Sequence, residues 1–469
     1  MGGESPTGGL RALISSAVPE FAIEDLEMVP STKPYVHYFA TAPEQHSLML
    51  SLLPRTTRLL RSEYLPITSE AVLLRWLTGP TDECCAAVHA GDTEPDETDL
   101  ATGDENGTKR RIPRRTKALP LLKFLPRLIK HGSATHVGCR NEYLLTRPVV
   151  GRTVAALSPP LNRAERKHVD FQVGQLLRRI SSQLSPNGKF GTAVGILSPD
   201  PAAPGPSWNR PVTPDLSSRH DRWSDAFRYM LESTLRDAED FNVTIPYDAI
   251  RDHVSRFRHF LDAVTSPCLV AIDAGEDTNT LVSPVTRSLV QESGGQLPGD
   301  RPPEHDRRGH GDDALDANES AEAIARAVGS MEVTGIREWS NCVFGDPLIA
   351  SVLSRSASPE IWDGFKSALW ENGLEIFGAR GAPLEDLRNA ESRRLLYECY
   401  HAATAIVREY YRRCSDSDDR EMPARKRLTQ ALRKLDNMDD IGKERRPHPS
   451  GEVSPAKRPK TDDENGAGK

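Results

Sequence analysis

The spacing of apolar residues changes character along this chain. Leu10 to Val18 has the spacing of a short helix. From residue 35 the pattern turns β-like: Tyr35-Val-His-Tyr-Phe39 and then Ser47-Leu-Met-Leu-Ser-Leu-Leu53 predict adjacent strands of one sheet. Helical spacing returns at Thr68–Leu77, with Val72, Leu73, Trp76 and Leu77 as its stripe. Leu119–Ile129 and Glu142–Val150 are short apolar, β-like segments, and Gly151 marks a turn. Beyond it the chain is mostly helical in pattern. Helices are predicted over Arg163–Leu184, Asp221–Asp240, Tyr247–Val264, 359–373 and 391–413, all but 359–373 with a named apolar stripe. Between them come a short, fully apolar strand, Cys268–Ile272, and a β-prone run ending in Glu338-Trp339. Gly345-Asp346-Pro347 then reads as a helix start, with Asp346 as N-cap and Pro347 at the first helical position.

This order predicts an α+β, two-lobed plan. Residues 1–34 form a lead-in, 35–147 a small β-rich lobe, 148–415 a larger and mainly helical lobe, and 416–469 a mostly disordered tail with a short helix at Arg425–Leu435. Three stretches interrupt the pattern. Residues 89–117 join an acidic run, Asp92–Glu105, to a basic one, Lys109–Arg115, and read as a disordered insertion. Residues 199–214 are Pro-rich and read as a surface loop, and 292–319 are polar and rich in Gly and Pro, again a disordered insertion.

Composition narrows the function. The 469 residues are 37% hydrophobic, below the usual share for a globular chain, which agrees with a packed core interrupted by unpacked segments. A net charge of −7 gives the whole chain no electrostatic reason to bind nucleic acid. No apolar run approaches the roughly 20 residues that span a bilayer, so no membrane partner is expected. Met1–Leu10 lacks the basic-then-apolar pattern of a secretory signal, which favours a cytoplasmic location. The seven cysteines are odd in number and include no C-x-x-C, so neither a zinc site nor a disulfide framework is indicated. Near the C-terminus, Pro455-Ala-Lys-Arg-Pro-Lys460 reads either as a soluble tail or as a nuclear address, bound by an import receptor through Lys457–Lys460.

Several blocks resemble the aminoglycoside phosphotransferase family, most closely its fungal variety. Leu59–Glu63 with Thr68–Leu77 is similar to its small-lobe helix, and Tyr143–Thr153 to its hinge between lobes. Gln175–Ile180 with Phe190-Gly191 is similar to its first large-lobe helix. Leu269–Asp273 through Asn279–Val282 resembles its catalytic loop, Gly335–Trp339 to Gly345–Pro347 its metal-binding segment, and Leu395–Tyr397 to Tyr410-Tyr411 its closing helix. The likeness runs in order over roughly residues 35–415. It implies a bilobal protein-kinase-like fold with a nucleotide cleft, using ATP and Mg²⁺ on an unknown small-molecule acceptor that binds near Trp223–Asp240.

The chemistry is only partly retained. The family's phosphate-covering loop is Gly-rich, because side chains would keep the backbone from the phosphates, yet no glycine lies between Met28 and Leu48. Ser51 falls where the resemblance places the nucleotide-binding lysine, so Glu70, the matching helix glutamate, has lost its partner. The catalytic triplet reads Ala271-Ile272-Asp273, without its histidine; Asp273 is the candidate general base. Asn279 lies six residues on rather than five, so the register of this loop is open, with Ala274 in the aspartate slot and Glu276 or Asp277 as substitutes. Glu338 replaces the metal-binding aspartate and is one methylene longer, so Asn279 and Glu338 form the candidate metal pair. Three functions follow as expectations: a kinase-like protein with weak or lost activity, a working phosphotransferase with Asp273 as base, and a nuclear interaction protein without catalysis.

Overall fold

The computed structural model describes residues 6–79 (less 30, 32 and 44–46), 119–133, 139–198, 219–284, 331–440 (less 356, 368, 372–373 and 378–383) and 442. The acidic–basic insertion at 89–117, the Pro-rich stretch 199–214, the segment 292–319 and the basic run Lys457–Lys460 lie outside the described residues.

The chain opens with α1 (Pro6–Ala17), β1 (Asp25–Val29), β2 (Val36–Thr41) and β3 (Ser47–Pro54). Helix α2 (Pro66–Thr78) follows, then β4 (Arg127–Gly132) and β5 (Cys139–Arg147). These five strands form one antiparallel sheet in the order β1-β2-β3-β5-β4. Its two faces are covered differently. Leu10 and Ile14 of α1 pack with Leu48, Leu50 and Leu52 of β3 on one side. Ile67 and Ala71 of α2 pack with Tyr35, Leu53 and Leu144 on the other. The strict alternation of β3 therefore serves two apolar layers at once, which is why its burial is nearly continuous.

The larger region begins with β6 (Arg152–Thr153) and α3 (Arg163–Ser181), whose Asn162 cap accepts from the N–H groups of Ala164 and Glu165 while Glu165 reaches back. Next come β7 (Gly191–Thr192), α4 (Ala193–Leu197), α5 (Trp223–Asp240), α6 (Tyr247–Arg256) and α7 (Arg258–Asp262). Strands β8 (Cys268–Ala271), β9 (Thr280–Pro284), β10 (Met331–Ile336) and β11 (Cys342–Gly345) form two small three-stranded sheets, β10-β9-β6 and β7-β11-β8. Then follow α8 (Ser351–Ser354), α9 (Pro359–Lys366), the hairpin β12 (Leu369–Glu371) and β13 (Leu374–Phe377), α10 (Ala390–Tyr411) and α11 (Ser417–Asp436). The fold is thus a β-sheet N-terminal region joined to a mainly helical C-terminal region, the α+β two-lobed class expected. Among the described residues no helix is long and apolar enough to cross a membrane.

Several elements differ from their expected bounds. The helix expected over Tyr247–Val264 breaks at Phe257, whose φ of −98° and ψ of 15° leave helical geometry while its ring stays fully buried. The helix expected over 359–373 stops at Lys366 and gives way to the β12–β13 hairpin. Residues 119–124 coil into a 3₁₀ turn rather than a strand. Helix α11 is longer than Arg425–Leu435: it starts at Ser417, and Ser417, Glu421 and Ala424 are buried on the added turns.

Two close approaches fix the helical region. At the crossing of α3 and α9, a Cβ on Gly364 would lie 1.9 Å from Phe171 O, and one on Gly174 would lie 2.1 Å from Ile361 O. At the end of β11, a Cβ on Gly345 would meet the Trp223 ring at 2.2 Å. Asp346 then does more than cap. Its Oδ1 accepts from Leu348 N–H at 3.1 Å, and its Oδ2 accepts from Arg393 Nε and from Tyr397 Oη, each at 2.8 Å. Trp223 Nε1 donates to Tyr397 Oη at 2.7 Å. The Gly-Asp-Pro block is therefore the hub joining α5, β11 and α10.

Candidate functional site

The cleft floor is built from two strand ends. Asp273 follows β8, and the turn after it is closed by Glu276 N–H to Asp273 O and Asn279 N–H to Glu276 O. Glu338 follows β10 and is 1% exposed. The two segments are joined through Asn279: its Nδ2 donates to Glu338 O at 3.1 Å, and its Oδ1 accepts from Glu338 N–H at 3.0 Å. Asn279 is thus tied to Glu338, with both atoms of its amide serving the Glu338 backbone, and Asp273 stands at the start of the turn that carries Asn279.

The roof is the connection between β1 and β2. Here the sequence lacks glycine, and the structure gives the counterpart: side chains from this connection reach down into the floor. Lys33 forms an ion pair with Asp273 Oδ2. Ser31 Oγ donates to Glu338 Oε1 at 2.9 Å and accepts from Lys33 N–H at 3.0 Å. On β2 itself, His37 Nε2 donates to Glu338 Oε1 at 2.8 Å, and its Nδ1 bonds Ser51 Oγ at 2.8 Å. Ser51 sits on β3 directly opposite His37, so the small side chain at the expected lysine position leaves room for the imidazole. Ser51, His37 and Glu338 form a Ser–His–carboxylate line, but each is about 1% exposed, so no substrate reaches the hydroxyl.

Glu70 of α2 is 2% exposed and faces the same place. It accepts from the Trp339 N–H and from Tyr35 Oη instead of from a lysine on β3. Burial, with Glu338 nearby, pushes its carboxyl up to about 8. Glu338 goes the other way. Burial opposes its charge, but His37, Lys33 and Arg337 together hold it down to about 2. Lys33 lies below the usual lysine range, chiefly through burial, with Glu338 opposing and Arg408 adding to the shift. The floor therefore carries two carboxylates already matched by Lys33 and Arg337.

That pairing bears on Mg²⁺. An octahedral ion needs several free oxygen ligands at close range. Glu338 Oε1 takes hydrogen bonds from two side chains, both Asn279 amide atoms are engaged, and an ammonium stands on Asp273. As arranged, these donors do not fit the ion. Among the described residues, no group of three or more His, Cys, Asp or Glu side chains is set to hold a metal. One atom departs from this pattern: Asp273 Oδ1 is buried without a hydrogen-bond partner.

Beside the floor lies a cavity of about 120 Å³, lined by Lys33 and Ser340–Val343 at one end and by Tyr229, Met230 and Ser233 of α5 and Arg408 of α10 at the other. The resemblance implied an acceptor near Trp223–Asp240; of that helix, Tyr229, Met230 and Ser233 line the cavity. The roles of Ser31, Lys33 and His37 had no signal in the chain, because their partners lie some three hundred positions away.

No family model matches the chain, and no curated protein matches it. Solved structures align with it over most of their length. An aminoglycoside phosphotransferase is 12% identical, with 91% of this chain and 98% of that one covered and a TM-score of 0.47. A candidate fructosamine-3-kinase of Thermobifida fusca is 11% identical, covering 91% of this chain and 100% of its own, with a TM-score of 0.45. A macrolide 2′-phosphotransferase of Brachybacterium faecium is 12% identical, covering 89% and 97%, with a TM-score of 0.40. Likenesses this distant carry no argument about activity, which is read from this chain's own residues.

Proposed function

We propose that this chain is a kinase-like protein of the aminoglycoside phosphotransferase type whose phosphoryl transfer is weak or lost. One observation carries the reading: Lys33, Ser31 and His37 of the protein itself occupy the carboxylates that a nucleotide-bound metal would need. Phosphoryl transfer depends on positioning and on neutralising charge over the phosphates. Here the positive charge comes from below the roof and is fixed to the floor, while the strand position that would reach the phosphates holds Ser51. Loss of such a preorganised charge is worth roughly 3–4 kcal/mol of transition-state stabilisation.

The test is a thermal-shift titration of the full chain with ATP and Mg²⁺. The proposal expects no shift at millimolar nucleotide in a folded protein; a clear, saturable shift overturns it. The double variant Lys33→Ala/His37→Ala is the companion measurement. Uncovering Asp273 and Glu338 is expected to bring out Mg²⁺ binding that the unaltered chain lacks, read as a metal-dependent rise in melting temperature.

A working phosphotransferase is the second reading, and the unpartnered Asp273 Oδ1 favours it. In that case Asp273 accepts the proton of an acceptor hydroxyl, and Asn279 and Glu338 would be the residues to hold Mg²⁺. Phosphate release from ATP that vanishes in Asp273→Asn would establish this. The nuclear interaction role rests on the basic run Lys457–Lys460 alone. Tagged protein with Lys457 and Arg458 changed to alanine should lose any nuclear enrichment; an unchanged distribution removes the idea.

A further inference from the structure

The ionisable residues that line the cavity beside the floor are unbalanced. Lys33, Arg61 and Arg408 face it against the single carboxylate of Glu63. Three of these four are already paired. Lys33 holds Asp273. Arg61 Nη1 reaches Asp237 at 2.6 Å and Asp240 at 2.7 Å. Glu63 takes a two-armed bond from Arg412 at 2.5 and 2.7 Å. Arg408 is left over: its Nε is buried and has no hydrogen-bond partner among the described residues. Arg408 is half-buried, with this one donor shielded from water, and an anion beside a partly desolvated guanidinium is attracted more strongly than in bulk solvent.

We propose that this cavity binds a small anion, a carboxylate or phosphate group, with Arg408 as its ion-pair partner. The volume of about 120 Å³ is somewhat below the roughly 150 Å³ that holds a benzene ring, so a compact head group fits and a whole nucleotide does not. Tyr64, Ser233 and Thr404 line the same space; the Tyr64 hydroxyl can donate to a remaining oxygen, while Ser233 already donates to the Tyr229 carbonyl at 2.9 Å. The ammonium of Lys33 closes the far end and adds to the field. The ligand class follows from this charge census and is independent of whether phosphoryl transfer survives.

The experiment is a melting-temperature titration of the full chain, without nucleotide or Mg²⁺. Inorganic phosphate and acetate are compared with chloride at equal ionic strength. Phosphate, acetate or both are expected to raise the midpoint saturably, and the stronger of the two names the head group. Arg408→Gln is expected to weaken that binding about tenfold or more, as loss of a charged partner does. Ser233→Leu keeps the charge and fills the cavity, and should also abolish the shift. It serves as the deciding variant if Arg408→Gln does not fold. Lys123→Gln, on an exposed turn away from the cavity, should bind as the unaltered chain does. Equal midpoints in phosphate, acetate and chloride overturn the proposal. So does binding that survives both Arg408→Gln and Ser233→Leu.

Discussion

At the scale of single residues, two buried carboxyl groups lie close together and have opposite preferences. Glu70 is pushed up to about 8, so its protonated form belongs to the folded state. Its contribution is full at low pH and is lost as pH rises from about 4.3, the unfolded value, through about 8. Glu338 is held down to about 2, so its contribution is present above about 4.3 and disappears as pH falls toward 2. Glu70→Gln should therefore stabilise the protein above pH 8, by about 1–3 kcal/mol, and leave it little changed at pH 5. Urea unfolding at the two pH values measures this, and equal effects at both would show that Glu70 is not shifted. Glu338→Gln should destabilise by about 2–4 kcal/mol at neutral pH, because Arg337 would lose its anion and Ser31 and His37 a charged acceptor inside the protein. Some of this was readable beforehand. The resemblance pointed to Ser51 where a lysine is expected and to Glu70 without that partner; it did not show that Glu70 is buried on Tyr35 and the Trp339 N–H. Nor did it show the occupation of Glu338 by His37 and Ser31, since no local pattern joins residues that distant.

At the scale of elements, the periodic stripes were reliable where a helix has one neighbour and less so where several compete. The helices at α3, α5 and α10 lie close to their expected spans, whereas α2 buries Ile67 and Ala71 against the sheet and Leu73, Leu74 and Leu77 against the main core, so its stripe caught only part of its buried surface. The break at Phe257 is different: its ring is drawn into the core from a backbone that no longer fits the helix, a tertiary demand that spacing does not encode. The β12–β13 hairpin likewise took over a stretch whose pattern suited a helix. The Gly-Asp-Pro block shows the opposite case. Its capping role was legible, yet the reason for its fixity is the Trp223 ring over Gly345 and the buried Arg393 on Asp346. Asp346→Ala should cost about 3–5 kcal/mol, since it leaves the Arg393 guanidinium, at 0% exposure, with Asp386 at 3.4 Å as its remaining carboxylate. Gly345→Ala should cost about 1–3 kcal/mol by forcing the indole aside. Chemical denaturation of both variants checks the order, and a smaller loss for Asp346→Ala would argue against the hub.

At the scale of the whole molecule, two further ties beside the floor contacts of Ser31, Lys33 and His37 staple the sheet region to the helical one. Arg412 grips Glu63 and the Arg58 carbonyl, while Arg61 reaches Asp237 and Asp240. These ties flank the cavity and hold the segment before α2. Arg412→Ala should lower stability by about 1–2 kcal/mol and speed amide exchange most strongly over residues 58–65. Exchange spread evenly over the chain would mean that the tie does not act locally.

The β1–β2 connection has one more consequence. Ser31 and Lys33 are tethered between two paired strands, so they meet the acidic floor at an effective concentration in the millimolar range or above. A dissolved cation or nucleotide competes with a rival that cannot diffuse away. Any occupant from solution must first displace it, and if that rival is cut loose by proteolysis within residues 30–35, the floor should gain affinity for outside cations without any change in its own carboxylates.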